Sequence, residues 1–286
     1  MAAEPSAAPG SLLGPAQIRE LAAGLDLQPT KKLGQNFVVD ANTVRKIVRT
    51  AEVSAGDEVL EVGPGLGSLT LGLLEAGARV TAVELDGRMA AQLPLTVAAL
   101  IPGSPLTVLH EDALRVSAAD LPAAPTRLVA NLPYNVSVPV ILHLLAGVPS
   151  LRSALVMVQA EVGHRIAASP GSKVYGSPSA KAAWYGTWST AGAVSRQVFW
   201  PVPNVDSILV AFERAAELPG TDAERVATFA LIDAAFGQRR KMLRQALSET
   251  FGGSTAASAR LEAAGLDPTA RGEQLAVADF LALARA

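Results

Sequence analysis

The chain has no cysteine, so it can form neither a disulfide framework nor a thiolate metal site. Histidine is scarce: His110, His143 and His164 lie far apart, without metal-ligand spacing, and read as ordinary core or surface residues. Apolar runs stop well short of the ~20 residues that a membrane span requires, although half of the residues are apolar. Net charge is also nearly absent, at −2, but the balance is uneven. Residues 51–125 are rich in Asp and Glu, and their only cations are Arg79, Arg88 and Arg115. Residues 152–200 carry Arg152, Arg165, Lys173, Lys181 and Arg196 against Glu161 alone. Such asymmetry points to a polyanionic partner, the alternative being a solvated face. Residues 1–15, rich in Ala, Pro and Gly, lack the basic start and apolar centre of a signal peptide. They are expected to be a disordered tail, and the absence of cysteine fits a cytoplasmic location.

What is present is a glycine loop between a strand and a helix. Val59, Leu60 and Val62 form the short apolar run of a buried strand. At Gly63, Gly65 and Gly67 the backbone can turn tightly, and a ligand can approach it without meeting a Cβ. Ser68 then begins a helix, whose first N–H groups have no partner within it. The spacing is G-x-G-x-G with Glu61 ahead, not the G-x-G-x-x-G of a dinucleotide site, so a dehydrogenase is the weakest contender. The acidic form resembles the first motif of S-adenosylmethionine (SAM) methyltransferases, though alone it also suits a plain tight turn. The next strand ends at Glu84, 21 positions after Gly63. An acid about 20 residues downstream accepts from ribose hydroxyls in nucleotide-binding α/β units. Glu84 has that place; the alternative is an exposed strand-end carboxylate.

From residue 57, strand and helix alternate as in a parallel sheet flanked by helices. Strands are expected near 58–62, 79–83, 106–109 and 126–130, then at 154–159, 187–194 and 206–213. Helices are expected over 15–23 and from 40 or 41 to 49. Between them, 31–40 is either an ordinary connection or a cover over a ligand. After Arg214 only helical segments remain, at 222–236, 239–250, 255–264 and 272–285. At 286 residues the chain has room for one large domain and one small. Asp112, beyond the third strand, is placed either to bond an adenine amino group or to cap a turn.

The fourth strand ends in Asn131-Leu-Pro-Tyr134. An exocyclic amine such as adenine N6 is a poor nucleophile because its lone pair is delocalised into the ring. Two acceptors for its N–H groups localise that lone pair. The Asn131 side-chain oxygen and a backbone carbonyl beside Pro133 supply them, and proline fixes the turn without adding a donor. Tyr134 offers a face for the base to stack on, worth roughly 1–3 kcal/mol. Neither a metal nor a general base is needed.

These residues resemble the ribosomal RNA adenine N6,N6-dimethyltransferase family, and its bacterial small-subunit branch above all. The resemblance runs from about Lys31 to about Gly252. It includes Leu33-Gly-Gln-Asn-Phe37, Glu61-Val-Gly-Pro-Gly65, Val83-Glu-Leu-Asp86, Asn131-Leu-Pro-Tyr-Asn135 and Pro170-Gly-Ser-Lys-Val-Tyr-Gly176. Phe199-Trp-Pro-Val-Pro-Asn-Val-Asp-Ser207 and Phe236-Gly-Gln-Arg-Arg-Lys-Met-Leu-Arg244 also match. It implies an α/β fold: a Rossmann-like SAM-dependent methyltransferase sheet at 16–214 and a small all-α, rRNA-binding C-terminal domain at 215–286. It places SAM against Asn36, Val38, Gly63, Gly65, Glu84, Asp112 and Asn131. The target adenine is expected at Asn131, Leu132, Pro133 and Tyr134, with Phe199 nearby. Arg165, Lys173, Arg239, Arg240, Lys241 and Arg244 are the expected RNA contacts, the last four forming a cluster that could equally be a solvated helix face. The implied substrate is a pair of adjacent adenosines in the hairpin near the 3′ end of 16S rRNA, within the immature small subunit. The protein is expected to act as a monomer. Two stretches depart from the family pattern: Ala160 precedes Glu161 where Lys is usual, and Ser177-Pro178-Ser179-Ala180 replaces a Leu-Ser-Val run. The competing readings are a 23S rRNA adenine methyltransferase of the macrolide-resistance kind and a ribosome-assembly factor without catalysis.

Overall fold

The computed structural model describes residues 12–27 and 36–286. Residues 1–11 of the expected tail, and Leu33, Gly34 and Gln35 of the Leu33–Phe37 motif, lie outside the described residues, as do Lys31 and Lys32. The chain divides into two compact units: residues 1–163 with 189–212, and residues 164–188 with 213–286. The second unit therefore draws a segment from the middle of the chain as well as the expected C-terminal stretch. Leu12 and Leu13 are buried in the first unit's core, so packing begins ahead of residue 16.

Along the first part of the chain run α1 (Pro15–Gly24), β1 (Phe37–Val38), α2 (Ala41–Thr50), β2 (Glu58–Val62), α3 (Ser68–Glu75), β3 (Arg79–Glu84), α4 (Gly87–Leu100) and β4 (Leu106–His110). Then come β5 (Arg127–Asn131), α5 (Ser137–Gly147), β6 (Ser153–Gln159), α6 (Ala160–Ile166), α7 (Ser177–Ala182), β7 (Gly186–Val194), β8 (Phe199–Trp200) and β9 (Ser207–Arg214). Asp40 starts α2 by accepting from Thr43 N–H at 2.7 Å, and Asp86 starts α4 by accepting from Arg88 N–H at 2.9 Å. Seven strands form a sheet in the order β4-β3-β2-β5-β6-β9-β7. Pairing is parallel from β4 through β6. The chain winds outward from β2 to β4 and returns to β5 on β2's other side, so the strand order reverses between β2 and β5. Open α/β sheets bind ligands at such a reversal, beyond the carboxyl ends of the strands. Outside the sheet, β1 pairs antiparallel with β8, Phe37 opposite Trp200 and Val38 opposite Phe199. That pairing, unforeseen in the sequence, fixes residues 36–38.

The C-terminal stretch is helical: α8 (Asp222–Gly237), α9 (Leu243–Ala246), α10 (Ser248–Phe251), α11 (Ser254–Ala263) and α12 (Val277–Arg285). The second unit has its own core, in which Tyr175 and Ala180 pack with Leu231, Ile232, Leu261 and Phe280. Tyr175 also donates its hydroxyl to Leu275 O at 2.9 Å. Those contacts explain why residues 164–188 belong here. The single helix expected over 239–250 is broken. Leu243 and Arg244 donate their N–H groups to Ala270 O (2.8 Å) and Pro268 O (3.1 Å), and α9 starts only at Leu243. The helix expected over 272–285 is a 3₁₀ turn at Gly272–Gln274, then α12, whose Asp279 accepts from Ala276 N–H at 2.8 Å.

Candidate active site

The carboxyl ends of β2, β3 and β5 and the start of α3 enclose a cavity of about 310 Å³. Its floor is the glycine loop. Gly63, Gly65 and Gly67 all have positive φ, and a Cβ at Gly65 would come within 2.9 Å of Phe37 Cε1. The loop therefore lays bare backbone against the cavity, a cradle that any side chain at 65 would fill. Asn36, Phe37 and Val38 close one side, and Leu85 and Met89 give apolar wall.

Glu84 is 5% exposed and lines this cavity, which excludes the exposed strand-end alternative. Its Oε2 accepts from Gly65 N–H at 3.0 Å and its Oε1 from Asp86 N–H at 2.9 Å. A carboxylate has about four acceptor positions, so both oxygens keep capacity for a pair of hydroxyls. Burial raises its pKa, opposed by those amide bonds. Glu61, 1% exposed, is pushed up to about 8 by burial; a 2.7 Å bond from Thr70 Oγ1 opposes the shift and the charge of Glu84 adds to it. Glu61 thus holds a proton at neutral pH unless a cation approaches.

Asn131 sits at the end of β5 and donates Nδ2 to Asn36 O at 3.0 Å. That bond ties β5 to the β1 segment and fixes the amide so that Oδ1 is the acceptor. Pro133 lines the cavity beside Gly63, and Pro133 O accepts from Val136 N–H at 3.3 Å. Tyr134 is half-buried, its hydroxyl 2.6 Å from Ser207 Oγ.

Three expected site residues keep their side chains out of the cavity wall. Asp112 is not in the cavity wall; its Oδ1 accepts from Leu114 N–H at 2.9 Å, the turn-capping alternative. Leu132 and Phe199 are core residues, 1% and 2% exposed. Phe199 pairs through β8 with Val38, so it supports the β1 segment instead of facing the cavity. The sequence reading passed over Ser68, Asp86 and Met89, which line the cavity. Asp86 closes the recognised Val83–Asp86 motif and Ser68 follows the glycine loop, though neither was given a site role; Met89 has no signal beyond its place in α4.

All six expected RNA contacts fall in the second unit. Arg239 is committed: its guanidinium pairs with Glu273 at 3.0 Å and donates to Lys173 O at 2.8 Å. Lys173, Arg240 and Lys241 are exposed, and Arg165 and Arg244 half-buried. Among the described residues no group of His, Asp and Glu side chains could hold a metal, and no helix is long and apolar enough to cross a membrane.

A parallel sheet whose reversal point carries an acidic glycine loop, a strand-end acid and an Asn-Leu-Pro-Tyr turn defines a SAM-dependent methyltransferase. The sequence profile of the ribosomal RNA adenine dimethylases matches residues 27–286, and the chain belongs to that family. A ribosomal RNA small subunit methyltransferase A of Leifsonia xyli is 70% identical over 275 residues, spanning 96% of this chain and 98% of that one. The protein of the same description from Streptomyces coelicolor is 58% identical over 282 residues, spanning 98% of each. The crystal structure of a dimethyladenosine transferase from Plasmodium falciparum shares the fold, with a TM-score of 0.72, 24% identity and coverage of 85% of this chain and 94% of that one. The 23S rRNA methyltransferase ErmE superposes with a TM-score of 0.63 at 25% identity, covering 87% and 98%.

Proposed function

We propose that the protein transfers methyl groups from SAM to N6 of two adjacent adenosines in the hairpin near the 3′ end of 16S rRNA, dimethylating each. The observation that carries this reading is the Asn131 amide, held by Asn36 so that an acceptor oxygen stands at the cavity's edge. When bound, SAM supplies an electrophilic methyl on a sulfonium. The bare glycine loop and the spare acceptors of Glu84 fit its adenosyl part. Asn131 Oδ1 and the Leu132 carbonyl accept from the target amine and localise its lone pair; the carbonyl of Pro133 is occupied by Val136. Tyr134 stacks on the extruded base, as enzymes that modify bases require. Arg165, Lys173, Arg240, Lys241 and Arg244 meet RNA phosphates, with Arg239 holding Lys173 and the cluster together.

The named relatives at 70% and 58% identity favour the small-subunit substrate over the 23S reading. The intact acceptors at Glu84 and Asn131 favour catalysis over a factor that has lost it. The protein acts as a monomer in the cytoplasm, on the immature small subunit. Primer extension across the 3′ hairpin of 16S rRNA, with and without the protein and SAM, tests the reading. Stops at two adjacent adenosines are expected; read-through with active protein and SAM present would refute it.

A further inference from the structure

Tyr134 follows Pro133, the last cavity-lining residue of its turn. The turn itself is fixed: Leu132 N–H donates to Met157 O at 3.1 Å, and Pro133 sets its own φ. The ring is not fixed by the turn, because side-chain torsions separate it from the backbone. What holds it is its hydroxyl, 2.6 Å from Ser207 Oγ. Both residues lie in the first unit. Ser207 is 1% exposed and begins β9, which stands beyond β6 from the β5 strand that leads into the turn. From Ser207 to Phe212 the strand is otherwise apolar, so a hydroxyl at its start is costly unless bonded. The bond it makes reaches across 73 positions to the Tyr134 ring.

Ser207 is itself a fixed point. Asp206 O accepts from Ala160 N–H at 2.8 Å, and the Asp206 carboxylate pairs with Arg196 at 3.0 Å. Ile208, Leu209 and Val210 behind it are buried. Tyr134, by contrast, is half-exposed, and a phenol without a protein partner turns to water and takes its ring along. In the function proposed above, on which this inference rests, that ring carries the extruded adenine. We propose that Ser207 is a positioning residue for base capture: its hydroxyl holds the Tyr134 ring in the stacking orientation before the base arrives. Buried as it is, Ser207 acts through Tyr134 and not on the adenine itself. Ordering a side chain at the moment of binding costs up to about tenfold in affinity, so a preset ring favours the captured base by a factor in that range. The gain falls on the step after docking, since docking rests on the phosphate contacts.

Kinetics and melting together separate positioning from plain stability. The full chain and its variants are compared in single turnover on unmethylated small ribosomal subunits with saturating SAM. Ser207→Ala should lower the saturating rate roughly three- to tenfold, with the half-saturating subunit concentration and the calorimetric SAM affinity unchanged. Tyr134→Phe, which keeps the ring and loses the same bond, should fall by the same factor. The double variant should fall no further, because one bond is lost in all three. Stability should run differently. Tyr134→Phe strands the buried Ser207 hydroxyl, and adding Ser207→Ala should restore part of the melting temperature without restoring the rate. A wild-type rate in either folded single variant, losses that multiply in the double variant, or a rate that recovers along with its melting temperature would overturn the assignment. If the wild type itself transfers no methyl group, the function proposed above fails, an outcome distinct from any difference among variants.

Discussion

Asn131 and Tyr134 are held by partners far along the chain, Asn36 and Ser207, and such partners decide what a substitution costs. Glu84→Ala removes the acceptor proposed for the ribose, and SAM affinity should fall by about ten- to a hundredfold, measured calorimetrically on folded protein. Unchanged affinity would sink the assignment. On sequence grounds Tyr134→Phe is mild, since a phenyl ring still stacks. The structure alters that expectation. Tyr134 is bonded to Ser207, which is 1% exposed, so phenylalanine strands a buried hydroxyl. The change should cost roughly 1–3 kcal/mol in urea unfolding, and adding Ser207→Ala should recover part of it. Glu61 makes a pH prediction. Folding raises its pKa from 4.5 to about 8, so folding favours its protonated form. Its contribution is whole below about 4.5 and is lost as pH rises through about 8, at roughly 1.4 kcal/mol per unit. Urea unfolding between pH 5 and 8.5 should therefore show the wild type losing stability relative to Glu61→Gln. Parallel curves for the two proteins would refute the buried acid.

Elements were legible wherever one period governed them. The expected strands agree with β2 to β6, β7 and β9 to within about a residue at each end, because buried strands are short apolar runs between turn signals. The glycine loop and Glu84 were legible for a like reason: local spacing sets which backbone and which acid meet. What the sequence could not show was pairing between distant segments. Two residues of β1 against two of β8 have no periodicity, yet they hold Asn36 where Asn131 can reach it. They also turn Phe199 inward, so a residue expected beside the base became core. The 239–250 segment failed for a tertiary reason, since Ala270 and Pro268 take the N–H groups of Leu243 and Arg244. Local helix preference yields to such partners. Gly65→Ala should show how tightly this geometry is drawn. The substitution meets both a positive φ and the Phe37 ring. SAM binding should fall below detection at concentrations that saturate the wild type, while the far-ultraviolet dichroism stays native. Retained affinity would mean that the loop is no cradle.

For the whole molecule, the net charge of −2 conceals a division of labour. Lys and Arg outnumber Asp and Glu in the second unit, and the reverse holds in the first. The proposed RNA contacts all lie in the second unit, where that excess favours a polyanion. Phosphate contacts release counterions, so each one adds about 0.7–0.9 to the slope of log affinity against log salt. Arg240 and Lys241 are exposed and stand outside the helices, whereas Arg239 is spent on Glu273 and the Lys173 carbonyl. Reversing charge at Arg240 and Lys241 together should therefore weaken rRNA binding and flatten its salt dependence, with SAM affinity and melting temperature unchanged. Arg239→Glu should differ in kind. It breaks a half-exposed ion pair worth at most about 1 kcal/mol and frees the 173 loop, so it should lower stability as well as RNA affinity. Filter binding across a salt series, beside thermal melts of each variant, separates the two behaviours. A full salt slope in the Arg240/Lys241 double variant would reduce the cluster to a solvated face and send the search for the RNA surface back to Arg165, Lys173 and Arg244.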